Sequence, residues 1–362
     1  MNESTAYPES IRVLVVDDSV FVQRLLRQWL QNEPGIEVLE ASAGTINALQ
    51  RIKHLKPDVV TLSPEVESGS GIQILEAIGR ECPTPVIVLS SPSDSDTQVA
   101  RKALQLGAFD FFPRPVENQA QIESVRNELV RKIRSAGQLA QQSRRLESQR
   151  TNRRLARTTG GLSQKSLAQI STGVARAVVI GTSTGGPQAL RTLFARLPDS
   201  FPLPILVVQH MLPNFTQSLA ESLQTDSGLE IREARQGDTL VPGRVLVAPA
   251  DYHMELDRRG HIQLNQKPPQ CGVRPSVDIT LLSASRYFKG RVLAVILTGM
   301  GQDGLEGVRA LKEAGGRCLA EHESSCVVYG MPRAIIENHL DHGVVPLPQM
   351  AEQIQRLLSD WR

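Results

Sequence analysis

Cysteine is scarce in this 362-residue chain: Cys82, Cys271, Cys318 and Cys326 are the only four, and no two form a C-x-x-C pair. A disulfide framework or a cysteine-built metal site is therefore not expected, and a reducing, cytoplasmic setting is the simple reading. Aromatic residues make up 4% of the chain. No window offers about 18 consecutive apolar residues, so no membrane insertion is expected. The opening residues, MNESTAYPESIR, lack both a basic start and an apolar stretch, and no signal peptide is read there.

What is present fits ordinary globular protein, with 40% hydrophobic and 22% charged residues. The length suits about two domains. In the first third, short apolar strands are expected at 13–16, 37–41, 58–62, 86–89 and 109–112. Amphipathic helical patterns, such as 20–30 and 97–106, lie between them. Such alternation predicts a parallel sheet with helices on both faces. From 134 to 173 Gln, Ser, Arg, Thr and Gly dominate, which reads as a basic flexible linker whose first half can be helical. Residues 131–165 carry ten Lys or Arg against Glu147 alone, a charge of +9 in a chain of net +2, so the rest carries −7. The stretch reads as a solvated tether or as a basic arm for an acidic partner. No aromatics are interleaved for base stacking, and nucleic acid is not an expected partner. A second α/β pattern follows, with strands at 177–180, 205–209, 245–248 and 292–298 and helices within 273–285 and 305–316.

Three strand ends in this second pattern carry chemistry. "VVIGTSTGGPQAL" is a strand, a tight turn and a helix, and its Gly181–Gly185 segment satisfies G-x-S-x-G around Ser183. That turn can present a nucleophilic hydroxyl near free helix N–H groups, or simply cradle a phosphate. His210 stands just past the apolar strand of "PILVVQHM", where α/β sheets build sites, though taken alone it reads first as a structural histidine. "VILTGMGQDG" offers Asp303 as the acid of a triad, with the Met300 backbone N–H as an oxyanion donor. The same loop matches a dinucleotide fingerprint through Gly299, Gly301 and Gly304, with Glu321 near the expected acidic position. Together, Ser183, His210 and Asp303 could meet at one edge of a parallel sheet as nucleophile, base and orienting acid. Their order differs from that of the α/β-hydrolases, which argues against that fold.

With "IGTSTGGP", "VVQHM", "RPSVD", "LTGMGQDG" and "VVYGMPRA", the chain resembles the chemotaxis response-regulator protein-glutamate methylesterases, the CheB family, over nearly its whole length. The resemblance implies a receiver-like, doubly wound (βα)5 domain at 9–133, a linker at 134–173 and a doubly wound α/β methylesterase domain at 174–358. It implies hydrolysis of glutamate γ-methyl esters on methyl-accepting chemotaxis receptors, and commonly deamidation of receptor glutamines. By motif match Ser183, His210 and Asp303 take the triad positions and Met300 the oxyanion position, with no cofactor and no metal. A chemosensory histidine kinase is a second expected partner. The alternative is a non-catalytic scaffold that docks receptors or kinases.

The first domain departs from the resemblance. Its first strand ends in Asp17 and Asp18, a pairing suited to hard cations. Ser90 fits the small hydroxyl position of a receiver. Where a receiver places its phospho-accepting aspartate this chain has Ser63, and where it places a lysine this chain has Arg114. Ser63 can neither form an acyl phosphate nor act as an anionic ligand. Glu65 and Glu67 fall in the following loop, and Asp58 lies at the wrong end of the strand. Arg114 is a planar fork that could lie across Asp17 and Asp18 without metal. The expectation is a degenerate receiver that does not undergo phosphotransfer.

Overall fold

The computed structural model describes residues 10–39, 45–64, 70–90, 102–103, 106–115, 122–153, 176–211, 213 and 215–361. The chain divides into two compact units, Met1–Gly161 and Leu162–Arg362. The expected helix over 97–106, the acids Glu65 and Glu67, and the later part of the basic stretch lie wholly or largely outside the described residues.

In the first unit, β1 (Ile11–Val16), β2 (Ile36–Val38), β3 (Val59–Leu62), β4 (Val86–Ser90) and β5 (Asp110–Pro113) form one parallel sheet in the order β2-β1-β3-β4-β5. Its strands are nearly continuous apolar runs, as expected for a sheet covered on both faces. The helices are α1 (Val20–Gln31), α2 (Thr45–Leu55), α3 (Gly71–Glu81) and α4 (Ile122–Arg153). Ser19 caps α1 by accepting the Val22 N–H, which starts the helix directly beyond Asp17 and Asp18.

The first half of the basic stretch, read as able to be helical, continues α4, whose Ile133, Ser135 and Ala136 are buried. A Cβ on Gly137 would collide with the Ile11 side chain, so the helix lies tightly on β1 at that point. Its cations meet acids of the same unit: Arg126 and Arg134 pair with Glu33, Lys132 with Asp110, and Arg144 with buried Asp58. Part of the stretch's positive charge is thus spent on the first unit.

The second unit holds seven parallel strands in the order β14-β13-β12-β6-β7-β9-β8. They are β6 (Ala177–Thr182), β7 (Ile205–Gln209), β8 (Glu230–Glu233), β9 (Arg244–Val247), β12 (Val292–Ile296), β13 (Arg317–Glu321) and β14 (Gly343–Val345). An antiparallel hairpin, β10 (His253–Leu256) and β11 (Ile262–Asn265), is set apart from the sheet. The helices are α5 (Gly186–Phe194), α6 (Phe215–Thr225), α7 (Val277–Phe288), α8 (Leu305–Glu313), α9 (Met331–Glu337) and α10 (Leu347–Ser359). Val179, Leu206, Leu246, Leu281, Val292 and Val308 belong to one core between sheet and helices. Among the described residues no helix is long and apolar enough to cross a membrane.

Candidate active site

The central strand β6 pairs with β12 on one side and β7 on the other, in registers that set their carboxyl ends level. The pairing continues past the strands: Ser183 N–H donates to the Thr298 carbonyl at 3.0 Å, and His210 N–H to the Thr182 carbonyl at 3.1 Å. Ser183 and His210 therefore sit side by side at one sheet edge, and the loop after β12 closes over the other flank. Gly299 touches Ser183 so closely that an added Cβ would come within 2.9 Å of the Ser183 Cβ. A side chain there would push the Met300 segment away from the hydroxyl.

His210 Nε2 meets Asp303 Oδ2 at 2.8 Å. Asp303 accepts, so the imidazole carries its proton on Nε2, and Nδ1 is the basic nitrogen. Among the described residues no hydrogen bond joins the Ser183 hydroxyl to His210. Contacts of this kind tighten when substrate binds. The Met300 N–H has no protein acceptor among the described residues and is available to an oxyanion.

The Asp303 carboxylate is fixed by the start of α7. The Ser276 hydroxyl (2.8 Å) and the N–H groups of Val277 (2.7 Å) and Asp278 (3.1 Å) all donate to it. The favour is returned: Asp278 accepts the N–H groups of Gly304 (2.9 Å) and Gly307 (2.7 Å) at the start of α8. Asp303, in the turn before α8, thus accepts at the N-terminus of α7, and Asp278, in the first turn of α7, accepts at the N-terminus of α8. Burial alone pushes the Asp303 carboxyl up, but the His210 bond and charge, with the Val277 and Ser276 donors, outweigh it and hold Asp303 below the ordinary carboxylate range. Asp278 has no histidine beside it, and burial with the neighbouring Asp303 charge pushes it up to about 6 despite its two N–H donors. The motif "RPSVD" ends in Asp278, and an acid in the first turn of a helix is the sequence signal for it.

Glu321 is fully buried and cannot meet a ribose. It accepts the Thr298 N–H at 2.8 Å and the Ser325 hydroxyl at 2.9 Å, so the dinucleotide reading of Gly299–Gly304 loses its acidic partner. Thr298 is a junction: its carbonyl accepts from Ser183 N–H and the Thr182 hydroxyl, and its own hydroxyl donates to the Thr184 carbonyl. Glu321 thus braces the turn that carries Ser183. Burial pushes the thiols of Cys318 and Cys326 up, which leaves them poor nucleophiles.

In the first unit, Arg114 Nη2 lies 2.7 Å from Asp17 Oδ1 and 3.1 Å from Asp18 Oδ1. The Ser19 N–H adds a bond to Asp17 Oδ1 at 2.8 Å. Burial pushes the Asp17 carboxyl up, and these donors offset only part of that. Ser63 follows β3 and is fully buried, with its Oγ unpartnered among the described residues. Ser90 closes β4, and its side chain lies outside the described residues. Asp58 is at the opposite end of β3, bonded to the Arg12 N–H and to Arg144.

Residues 178–354 match the family model of the CheB methylesterase, and residues 13–126 match that of the response regulator receiver domain. The chain is 38% identical to a protein-glutamate methylesterase/protein-glutamine glutaminase of Clostridium acetobutylicum, over 98% of this chain and 99% of that one. A protein of the same name from Symbiobacterium thermophilum is 41% identical over 97% of this chain and 98% of its own. Among solved structures, the CheB methylesterase catalytic domain of Thermotoga maritima is 43% identical, covers 51% of this chain and 98% of that chain, and superposes with a TM-score of 0.49.

Proposed function

We propose that this chain, which belongs to the protein-glutamate methylesterase/protein-glutamine glutaminase family, carries out ester hydrolysis with Ser183 as nucleophile, His210 as general base and Asp303 as orienting acid. The enzyme is a protein-glutamate methylesterase and protein-glutamine glutaminase, and it acts in the adaptation of chemosensory signalling. The observation that carries the residue assignment is the 2.8 Å His210–Asp303 bond at the sheet edge where Ser183 is presented. A scaffold would need no such pair.

Ser183 Oγ attacks the γ-carbonyl of a glutamyl methyl ester while His210 Nδ1 takes its proton. The developing oxyanion is met by the Met300 N–H. Asp303 holds the Nε2–H tautomer and stabilises the imidazolium that forms. His210 then gives the proton to departing methanol, and water repeats the cycle on the acyl-enzyme. A glutamine side chain passes through the same oxyanion, but ammonia leaves less readily than methanol, so deamidation is the slower reaction. The substrate class we assign is the cytoplasmic helices of methyl-accepting chemotaxis receptors, which puts the enzyme in the cytoplasm.

The receiver fold implies a divalent cation between acids at its strand ends. The residues present do not fit one: Arg114 already lies on Asp17 and Asp18, and Ser63 supplies no anionic oxygen. We therefore route no step through a metal or an acyl phosphate and read the first unit as a docking module. Methanol release from methylated receptors, compared between wild type and Ser183→Ala, tests the catalytic assignment. Wild-type release with Ser183→Ala near background is expected, and near-normal release from the variant would overturn it.

A further inference from the structure

Gln209 ends β7 directly before His210 and is 2% exposed. Its side-chain amide donates to the Ser183 carbonyl at 2.8 Å and to the His210 carbonyl at 2.9 Å. One NH2 group therefore spans the two residues between which the proton moves. Rotating the amide would set its oxygen against two carbonyl oxygens, so the orientation follows from the acceptors themselves.

The other half of the amide is harder to account for by packing. Gln209 Oε1 is buried and has no hydrogen-bond partner among the described residues. A buried acceptor left unsatisfied costs stability, and an apolar side chain of similar length would avoid that cost. Space has also been cleared for the amide. At Gly186, which starts α5, any Cβ would overlap Gln209 Oε1 and come within 2.6 Å of the Thr182 hydroxyl. A feature that costs stability, and for which a helix gives up a side chain, points to a role at the site.

We propose that Gln209 is a positioning residue that locks the Ser183 turn to the His210 turn and so sets the distance for proton transfer. The inference rests on the reading of Ser183 and His210 as nucleophile and base. Gln209 need not touch substrate. It acts through the two backbones, where a shift on the order of 1 Å can cost about 100-fold in rate.

The test uses the full chain and measures kcat, KM, Ser183 labelling by a fluorophosphonate, and thermal unfolding. Gln209→Met should lower kcat and the labelling rate together by roughly 10- to 100-fold. Its KM should stay within about twofold of wild type, and it should remain folded at the assay temperature, since losing the unsatisfied oxygen offsets part of the loss of two amide bonds. Gly186→Ala should lower kcat similarly by displacing the amide, and should cost less in a Gln209→Ala background, where only the Thr182 contact remains. Wild-type kcat and labelling in Gln209→Met would overturn the proposal. Should that variant fail to fold, an equal cost of Gly186→Ala in both backgrounds would overturn it instead. Ser183→Ala run alongside separates the two readings: if it is inactive while Gln209→Met is fully active, only the positioning role fails. If Ser183→Ala retains activity, the catalytic assignment itself fails.

Discussion

Ser63 and Ser183 stand in the same place in two parallel sheets, each directly after an interior strand. Their surroundings are opposite. Ser183 is half-buried, and the neighbouring strands bring His210 and, through a loop, Asp303 to its edge. Ser63 is fully buried, its hydroxyl meets nothing, and the nearby acids are engaged by Arg114. A strand end offers only a position. Whether a hydroxyl there becomes a nucleophile depends on what adjacent strands deliver to it: a base held by an acid in one unit, an acid pair neutralised by a guanidinium in the other.

The widest separation between the two serines should appear in activity. Ser183→Ala and His210→Ala should each cost about 10³-fold or more in methanol release, since triad members act as a unit, whereas Ser63→Ala should leave release unchanged. Equal damage at both serines would break the comparison. Phosphodonor labelling sharpens it from the other side. Incubated with radiolabelled acetyl phosphate and Mg²⁺, the wild-type protein should take up no acid-stable, base-labile label, while Ser63→Asp combined with Arg114→Lys should gain Mg²⁺ binding. Stoichiometric label in the wild type would mean that the first unit is a working switch.

A smaller effect is expected from Arg114→Ala, which leaves Asp17 buried without its cation. Removing one partner of a buried pair costs about 3 kcal/mol, to be read from faster hydrogen exchange of β1 and β3 amides with no loss of exchange protection in β6 and β7. Smaller still is the pH dependence carried by Asp278. Its folded pKa, about 6, lies above the ordinary value, so the folded state binds this proton more tightly than the unfolded chain. The resulting stabilisation is full below about pH 4 and is lost as pH rises through about 6. Thermal unfolding of the second unit should lose that slope in Asp278→Asn, and an unchanged slope would assign it to another group.

Much of this was legible from periodicity. Unbroken apolar runs marked β1, β3, β6, β7 and β12, and the polar turns after them marked Asp17, Ser183 and His210. The short strands β8, β13 and β14 and the β10–β11 hairpin were not read, because strands of only three to five residues carry little periodic signal. The linker boundary at 134 was set by composition. The helix continues to 153 because Ile133 and Ala136 bury against the sheet and the arginines find acids far away in sequence.

The sequence by itself determined which groups could react and which could not: a hydroxyl in a glycine turn, an imidazole after a buried strand, and a serine that lacks the charge an acyl phosphate requires. These are properties of residue type and local order. Only the tertiary structure decided that Nε2 of His210, and not Nδ1, faces Asp303, that Asp278 and Asp303 cap each other's helices, and that Gln209 ties two turns with one amide. Each of these depends on strands and helices far apart in the chain meeting at a fixed register. A hydrogen bond forms only within a few tenths of an ångström of its ideal distance, and that precision comes from packing, which no single segment specifies.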